Sequence, residues 1–216
     1  MIRCFFWDFD GTLYDSYPEV NRTMMDGLRD FHLEGLFDEK EVAQLVKHNL
    51  WRAAEYFSEK TAIPPEEFLL AYRRHQEEHR NFLPYPGMGD CLKALHEAGA
   101  MHFLYTHRDR HAVDRLTADG LWPLFTDAIT REDGFPDKPA PDALLSLAHR
   151  YELPVQECVM VGDRDIDILA GKNAGMATIL FDPDNFFPDV ETDWRLGSMA
   201  ELQAAFLPLP AFPRAK

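Results

Sequence analysis

The chain opens on the stretch CFFWDFDGT, residues 4–12, which joins an apolar and aromatic run to a polar turn. The apolar run is short and ends before Gly11, a pattern that predicts a buried strand running into a loop. Asp8 and Asp10 stand where this strand ends, and the backbone freedom at Gly11 lets both carboxylates reach one small volume. Two anions that close need a cation or a retained proton. The alternative is an acidic turn that caps a helix.

Downstream of this stretch the chain changes character twice. Residues 17–82 carry apolar residues at three- and four-residue spacing and no strand pattern, which predicts an all-helical insertion. From residue 84 onward short apolar runs alternate with helical segments, which is typical of right-handed βαβ units. The prediction is an α/β fold with a Rossmann-like parallel sheet core and helices on both faces, formed by residues 1–15 and 84–216. An all-helical cap, residues 16–83, is inserted after the first strand.

The alternating part is resolved further into individual elements by its pattern. Strands are expected at residues 101–106, 127–130, 158–161 and 177–181. Helices are expected at residues 90–98, 110–118, 141–151, 166–174 and 198–206. A loop is expected at residues 185–188 and a proline-broken tail at 207–216. Phe186 and Phe187 are expected to pack over the sheet edge or the neighbouring helix, with a partner surface as the alternative.

The composition is that of a folded, acidic protein. Of 216 residues, 22 are Lys or Arg and 37 are Asp or Glu, so the net charge is −15. This balance argues against binding to nucleic acid or anionic membranes, which needs a positive field, but not against a phosphorylated substrate. No apolar window approaches the ~20 residues of a membrane span, and three distant cysteines argue against a disulfide framework. We expect a cytoplasmic monomer or homodimer.

Three further polar clusters stand at strand ends or just ahead of helices, where open parallel sheets bind their ligands. Residues 106–108, Thr-His-Arg, offer a hydroxyl and backbone amides that suit a phosphate oxygen. Lys138 is held ahead of a helix by prolines and can neutralise nearby carboxylates. Asp163 and Asp167 carry hard oxygen ligands that suit Mg²⁺. Taken alone, residues 106–108 are better explained as a helix cap and Lys138 as a solvated loop lysine. An acidic helix start is the alternative for Asp163 and Asp167.

In their order and their common place, the four clusters resemble the motifs of the haloacid dehalogenase superfamily over nearly the whole chain. The four motifs match Asp8-Phe9-Asp10-Gly11-Thr12, Thr106, Lys138, and Gly162-Asp163 with Asp167. The helical insertion looks like the cap of the phosphoglycolate-phosphatase-like subgroup. One position departs from the pattern, because many relatives have Asn where this chain has His107.

The resemblance implies an aspartate-nucleophile phosphatase. Asp8 would form an aspartyl-phosphate intermediate, and Asp10 would protonate the leaving alkoxide and then activate water. The implied cofactor is Mg²⁺, held by Asp8, Asp163 and the main-chain carbonyl of Asp10. Asp167 would stand behind these ligands and orient metal-bound waters or Lys138.

The resemblance also implies which groups bind the substrate phosphate. Thr106, Lys138 and loop amides near Gly11 would hold its non-bridging oxygens, with His107 beside them. The departure from the family pattern at His107 concerns the substrate contacts there, and not the core chemistry.

Three residues of the helical insertion are candidates for substrate selection. His48, Trp51 and Arg52 combine cations and an aromatic ring on a short stretch, which suits an anionic organic leaving group. The alternative is that they cover the insertion's own core and its solvent-facing side.

The function expected from the sequence is a Mg²⁺-dependent phosphatase whose partner is a small phosphorylated metabolite. A phosphosugar mutase on the same scaffold is one alternative, and a non-catalytic binding or regulatory protein is another. A phosphonate hydrolase would need a Schiff-base lysine from the cap, and nothing marks Lys40, Lys47 or Lys60 as buried. Zinc is disfavoured because no histidine spacing joins an acid cluster.

Overall fold

The computed structural model describes residues 2–76, 78–79 and 81–208. The chain divides into two compact units, one formed by Met1–Tyr14 with Pro84–Lys216 and the other by Asp15–Leu83. Two short strands, Tyr14–Asp15 and Leu83–Pro84, pair where the chain passes between the units. Each unit has its own buried core.

The first unit, called here the core unit, contains a six-stranded parallel sheet. The strands of the described residues are β1 Cys4–Trp7, β2 Tyr14–Asp15, β3 Leu83–Pro84, β4 Met101–Tyr105, β5 Phe125–Ile129, β6 Cys158–Gly162, β7 Ala177–Phe181 and β8 Trp194–Leu196. The sheet has the order β5-β4-β1-β6-β7-β8, and its paired strands all run parallel. β1 therefore lies between β4 and β6, at the position where the strand order reverses and where open sheets bind ligands.

Helices cover both faces of this sheet. The α-helices in the described part of the core unit are α5 Met88–Glu97, α6 His111–Ala118, α7 Asp142–Arg150, α8 Asp165–Asn173 and α9 Met199–Phe206. Successive residues of β1 point to opposite faces. Phe6 packs in one cluster with Leu144 of α7 and Ala170 of α8. On the other face, Phe5 meets Phe206 of α9 edge to face, with ring centroids 5.4 Å apart. The predicted α/β class is confirmed.

The second unit, called here the helical unit, contains four helices among its described residues, between the strand residues at its two ends. They are α1 Tyr17–Arg29, α2 Glu39–His48, α3 Leu50–Thr61 and α4 Pro65–His75. Phe57 and Phe68 pack edge to face inside it, with ring centroids 5.5 Å apart. The side chain of Asn49 accepts hydrogen bonds from the amides of Trp51 and Arg52, so it ends α2 and caps α3 at one residue.

The sequence pattern misses the three shortest strands, β2, β3 and β8, and places one loop correctly. β2 and β3 have only two residues each. β8 is not predicted because it has only three residues, none of them buried, so it carries little strand signal. Phe187 is buried against Ile168 and Leu180, and the loop around it is held by Asp182, which accepts from the Phe187 amide at 2.9 Å. The predicted packing of this loop is therefore confirmed. The predicted tail lies outside the described residues from position 209 on.

Every helix in residues 2–76, 78–79 and 81–208 is too short or too polar to cross a lipid bilayer.

The close approach of α8 to the sheet depends on one glycine. A Cβ built on Gly171 would lie 2.8 Å from Met160 Cβ and 2.8 Å from Thr178 Cγ2, closer than such atoms pack. We expect Gly171→Ala to lower the free energy of unfolding by about 1–3 kcal/mol, despite the better helix propensity of alanine. Urea denaturation measures this loss. Gly35→Ala is the control, because its Cβ would meet nothing within 4 Å, and an unchanged midpoint for Gly171→Ala would contradict the packing argument.

Candidate active site

Three strand ends bring the predicted site residues to one edge of the sheet. Asp8 follows β1, and its amide donates to the carbonyl oxygen of Val161 on β6 at 2.9 Å. Thr106 follows β4, and its amide donates to Ile129 on β5 at 3.1 Å. Asp163 follows β6 directly. Because β4, β1 and β6 are neighbours, the ends of these strands form the floor of the site.

The turn after β1 is closed by its own backbone. The amides of Leu13 and Tyr14 both donate to the carbonyl oxygen of Phe9 at 3.0 Å, and Gly11 has φ +72°, a value that favours glycine. The amide of Gly11 donates to the Tyr14 carbonyl oxygen at 2.8 Å. In this conformation the Gly11 amide is therefore engaged within the turn rather than available to a phosphate oxygen.

A buried lysine joins two carboxylates at the centre of the site. Lys138 Nζ lies 2.8 Å from Asp8 Oδ1 and 2.8 Å from Asp167 Oδ1, and all three side chains are almost fully buried. The Asp167 side chain fits against the end of β6 because residue 162 is glycine: a Cβ there would lie 2.2 Å from Asp167 Cβ. Lys138 Nζ also lies 4.6 Å from the centroid of the Tyr105 ring. The ammonium is thus fixed from three sides.

Burial and the charges of neighbouring groups shift the pKa values of Asp8, Lys138 and Asp167 in opposite directions. Burial raises the pKa of Asp8 from 3.8 to about 6, although Lys138 acts against the rise. Burial also opposes the charge on Lys138, but Asp167 and Asp8 outweigh it and raise the pKa of that ammonium. For Asp167, the cations Lys138 and Arg164 outweigh burial and lower the pKa. Asp167 is therefore the permanent anion, and Asp8 is the carboxyl whose charge costs most.

The same cluster has the donor set of a metal site. One carboxylate oxygen from each of Asp8, Asp163 and Asp167 can be chosen so that all lie within 4.8 Å of one another, and all three residues are buried. Asp8 Oδ2 is buried without a hydrogen-bond partner among the described residues. Such an orphaned oxygen is costly unless a cation or donor meets it. All-oxygen carboxylate ligation suits Mg²⁺, so the residues fit the predicted ion.

Asp10 is placed differently from the other acids. Both of its carboxylate oxygens face the guanidinium of Arg108, with Arg108 Nε 3.0 Å from Oδ2 and Nη2 2.5 Å from Oδ1. The sequence pattern includes Arg108 in the second cluster but does not pair it with Asp10. The signal that could have indicated this pairing is that the sequence analysis assigns no cation to the Asp10 carboxylate.

His107 contacts the lysine loop. Its Nε2 accepts a hydrogen bond from the backbone amide of Lys138 at 2.9 Å. Burial first, and then the cations Lys138 and Arg164, lower the pKa of His107 to about 4. The ring is therefore neutral at physiological pH, and the Nε2 atom supports the loop instead of facing a phosphate oxygen in this conformation. Thr106 Oγ1 likewise accepts from the Arg108 amide, at 3.0 Å.

The three candidate residues of the helical unit are neighbours within that unit. His48 and Arg52 line one cavity together with Leu45, Glu55, Tyr56 and Glu59. Trp51 is 43% exposed, and its Nε1 donates to Glu55 at 2.7 Å. These side chains lie on the surface of the helical unit.

The comparisons with known proteins agree on one family. The profile of the haloacid dehalogenase-like hydrolases matches residues 5–181. A phosphoglycolate phosphatase from Vibrio vulnificus (strain YJ016) is 34% identical over 192 residues, 82% of this chain and 82% of the relative. Pyrophosphatase PpaX from Halalkalibacterium halodurans is 27% identical over 208 residues, 93% of this chain and 95% of the relative.

Solved structures share the fold. A hydrolase from Streptococcus pneumoniae TIGR4 is 29% identical, with a TM-score of 0.63 over 83% of this chain and 92% of the other. A HAD family hydrolase from Deinococcus radiodurans R1, with bound phosphate and sodium, has a TM-score of 0.76 at 22% identity over 95% of each chain. The second likeness shows the fold alone.

The family match spans all four clusters, from Asp8 to Asp167, and most of the chain. The resemblance inferred from the motifs is thereby confirmed, including its likeness to phosphoglycolate phosphatases. The chain belongs to the haloacid dehalogenase-like hydrolase family, and it is a phosphatase of that family.

Proposed function

We propose that the protein is a Mg²⁺-dependent phosphatase that hydrolyses a small phosphorylated metabolite through an aspartyl-phosphate on Asp8. The observation that carries this proposal is the state of Asp8. One of its oxygens is held by Lys138 at 2.8 Å, while the other is buried without a partner among the described residues. A carboxylate that is held by a cation at one oxygen and kept from water at the other is suited to nucleophilic attack on phosphorus.

The chemistry divides into two steps on the protein's own residues. An Asp8 oxygen attacks phosphorus, the bond from phosphorus to the leaving oxygen breaks, and Asp10 gives its proton to the departing alkoxide. In the second step a water attacks phosphorus, Asp10 takes a proton from that water, and inorganic phosphate leaves Asp8 as a carboxylate. Asp8 and Asp10 thus return to their starting states.

The remaining residues stabilise charge and hold geometry. Lys138 neutralises Asp8 in the ground state and the phosphoryl oxygens as charge develops, and the Thr106 hydroxyl lies at the neighbouring strand end. Mg²⁺ would be held by Asp8, Asp163 and the main-chain carbonyl of Asp10, and it would supply positive charge to the phosphoryl group. Asp167 forms an ion pair with Lys138 and accepts a hydrogen bond from the Arg164 amide at 3.0 Å. Its role is therefore to hold the lysine ammonium in place.

The substrate is proposed by class. The relatives are named for phosphoglycolate and for pyrophosphate, which are both small phosphorylated anions. We propose that His48, Trp51 and Arg52 of the helical unit select among such substrates. Nucleic acid and membranes are not among the proposed partners because the net charge is −15. The proposed location is the cytoplasm.

The phosphosugar mutase alternative uses the same core residues, so the assay must separate the two activities. Steady release of inorganic phosphate without a sugar bisphosphate activator supports the phosphatase. Transfer without net phosphate release supports the mutase. Binding without either reaction supports a non-catalytic protein.

We expect phosphate release to require Mg²⁺ and to be lost in EDTA. Ca²⁺ should replace it poorly, because Ca²⁺ takes about 6–8 oxygens at longer distances and would draw the nucleophile into coordination. Inorganic phosphate is measured against a panel of phosphometabolites at increasing Mg²⁺. Asp163→Asn should raise the Mg²⁺ concentration for half-maximal rate, whereas the exposed neighbour Asp165→Asn should not. Full activity in metal-stripped buffer would reject the metal requirement.

A further inference from the structure

Arg108 and Asp10 form a two-point contact between distant parts of the core unit. They are 98 residues apart, and the guanidinium meets the carboxylate through two nitrogens on two oxygens, at 3.0 and 2.5 Å. Both side chains are largely shielded, at 13% exposure for Arg108 and 27% for Asp10. Such a fork fixes the direction of a carboxylate as well as its charge, which a lysine ammonium does not do.

Arg108 is itself held from several sides. Its amide donates to Thr106 Oγ1 at 3.0 Å, and its carbonyl oxygen accepts from the Arg131 amide at 3.0 Å. Its guanidinium carbon lies 5.6 Å from the centroid of the Phe9 ring, the residue between the two acids of the turn. The backbone and the guanidinium of Arg108 are therefore both held. The position of the guanidinium beside Asp10 is thus fixed relative to the end of β4.

We propose that Arg108 is a positioning residue that holds Asp10 in the orientation needed to meet the leaving oxygen and then the water, through one nitrogen while Asp10 carries its proton and through both once Asp10 is ionised. The inference rests on the proposed function, because it concerns the acid and base of that reaction. It has a physical motive in the turn itself: Asp10 follows a strand end and precedes Gly11, where the backbone restrains a side chain little. A misplaced acid loses much of its effect even when the fold is unchanged.

The test is the dependence of the rate on the leaving group. An alkyl phosphate such as glycerol phosphate needs a proton donor, whereas 4-nitrophenyl phosphate has a leaving group that departs without one. We expect Arg108→Ala to lower kcat/KM for glycerol phosphate by about 10- to 100-fold and to change kcat/KM for 4-nitrophenyl phosphate by less than about threefold. The kcat for the aryl substrate should fall with a burst of 4-nitrophenol, because the second step still needs Asp10.

Two further variants sharpen the result. Arg108→Lys keeps the charge but loses the fork, so it should recover only part of the activity on glycerol phosphate. In the background of Asp10→Asn, Arg108→Ala should cost nothing more, because the two residues act as one unit. Arg110→Ala is the matched control, since Arg110 is exposed and lies two residues further along the chain.

Each outcome decides between separate ideas. If Arg108→Ala slows both substrates equally, or if its effect adds to that of Asp10→Asn, the positioning role is overturned. If it slows only a substrate with a second anionic group, such as phosphoglycolate, Arg108 is a substrate-binding cation and the inference is also overturned. If the unaltered protein releases phosphate from none of these substrates, the proposed function fails, and the inference fails with it.

Discussion

Replacing Asp8 by asparagine is expected to abolish phosphate release while the core unit stays folded. The amide nearly matches the carboxylate in shape but cannot attack phosphorus, so the turnover number should fall by more than about 10⁴-fold, as when a nucleophile acting within a catalytic unit is removed. Inorganic phosphate release measures the loss, and circular dichroism checks the fold. Asp137→Asn is the control, because Asp137 is an exposed acid of the same region, with 82% of its side chain accessible. Near-normal turnover by a pure Asp8→Asn preparation would remove Asp8 from the nucleophile role.

Asp8→Asn should also change how the free energy of unfolding depends on pH. The direction of this change follows from the pKa of Asp8. Burial raises the Asp8 pKa from 3.8 to about 6 in the folded protein. The folded state therefore binds more protons than the unfolded state between these values, and stability falls as pH rises through this window. Fully developed, the loss is about 3 kcal/mol.

The asparagine in Asp8→Asn does not titrate. The variant should therefore not show the loss of stability that ionisation of Asp8 causes as the pH rises. Without metal, its free energy of unfolding relative to that of the unaltered protein should therefore rise between about pH 4 and pH 7. Urea denaturation at the two pH values tests the difference. A difference that does not change with pH would show that Asp8 has an ordinary pKa.

Local pattern is enough to predict the sheet core and the acids of the site. β1 is a continuous apolar run that ends at Asp8, and β6 is another that ends before Asp163, so strand and functional group are encoded in the same few residues. Parallel strands bring their ends to one edge of a sheet, so the meeting of these acids follows from the alternation of elements.

The contacts that position the acids are not encoded in the same way. The pair Arg108–Asp10 and the hydrogen bond from Lys138 to His107 join residues that are 98 and 31 positions apart. Each depends on the path of a loop, and loop residues such as His107 carry no period that a pattern could detect. For this reason the sequence places His107 on the phosphate, whereas the structure has its Nε2 supporting the lysine loop.

Replacing Lys138 by methionine should remove both activity and much of the stability. The ammonium is the buried cation between Asp8 and Asp167, at 2.8 Å from each. Removing one partner of a buried ion pair leaves uncompensated charge and costs about 3–5 kcal/mol. Phosphate release should become undetectable, because Lys138 also neutralises the phosphoryl oxygens.

A second substitution separates the structural part of this effect from the catalytic part. Asp167→Asn in the Lys138→Met background removes the anion left behind, so it should restore much of the free energy of unfolding but none of the activity. Lys172→Met, an exposed lysine on α8, is the control and should change neither quantity. Denaturation curves and phosphate release are measured on all four proteins, without metal for the first and with Mg²⁺ for the second. If Lys138→Met is as stable as the unaltered protein, Asp8 and Asp167 do not depend on the lysine for neutralisation. If the double variant recovers activity together with stability, Lys138 serves the fold alone, because its charge is then not needed by the phosphoryl group.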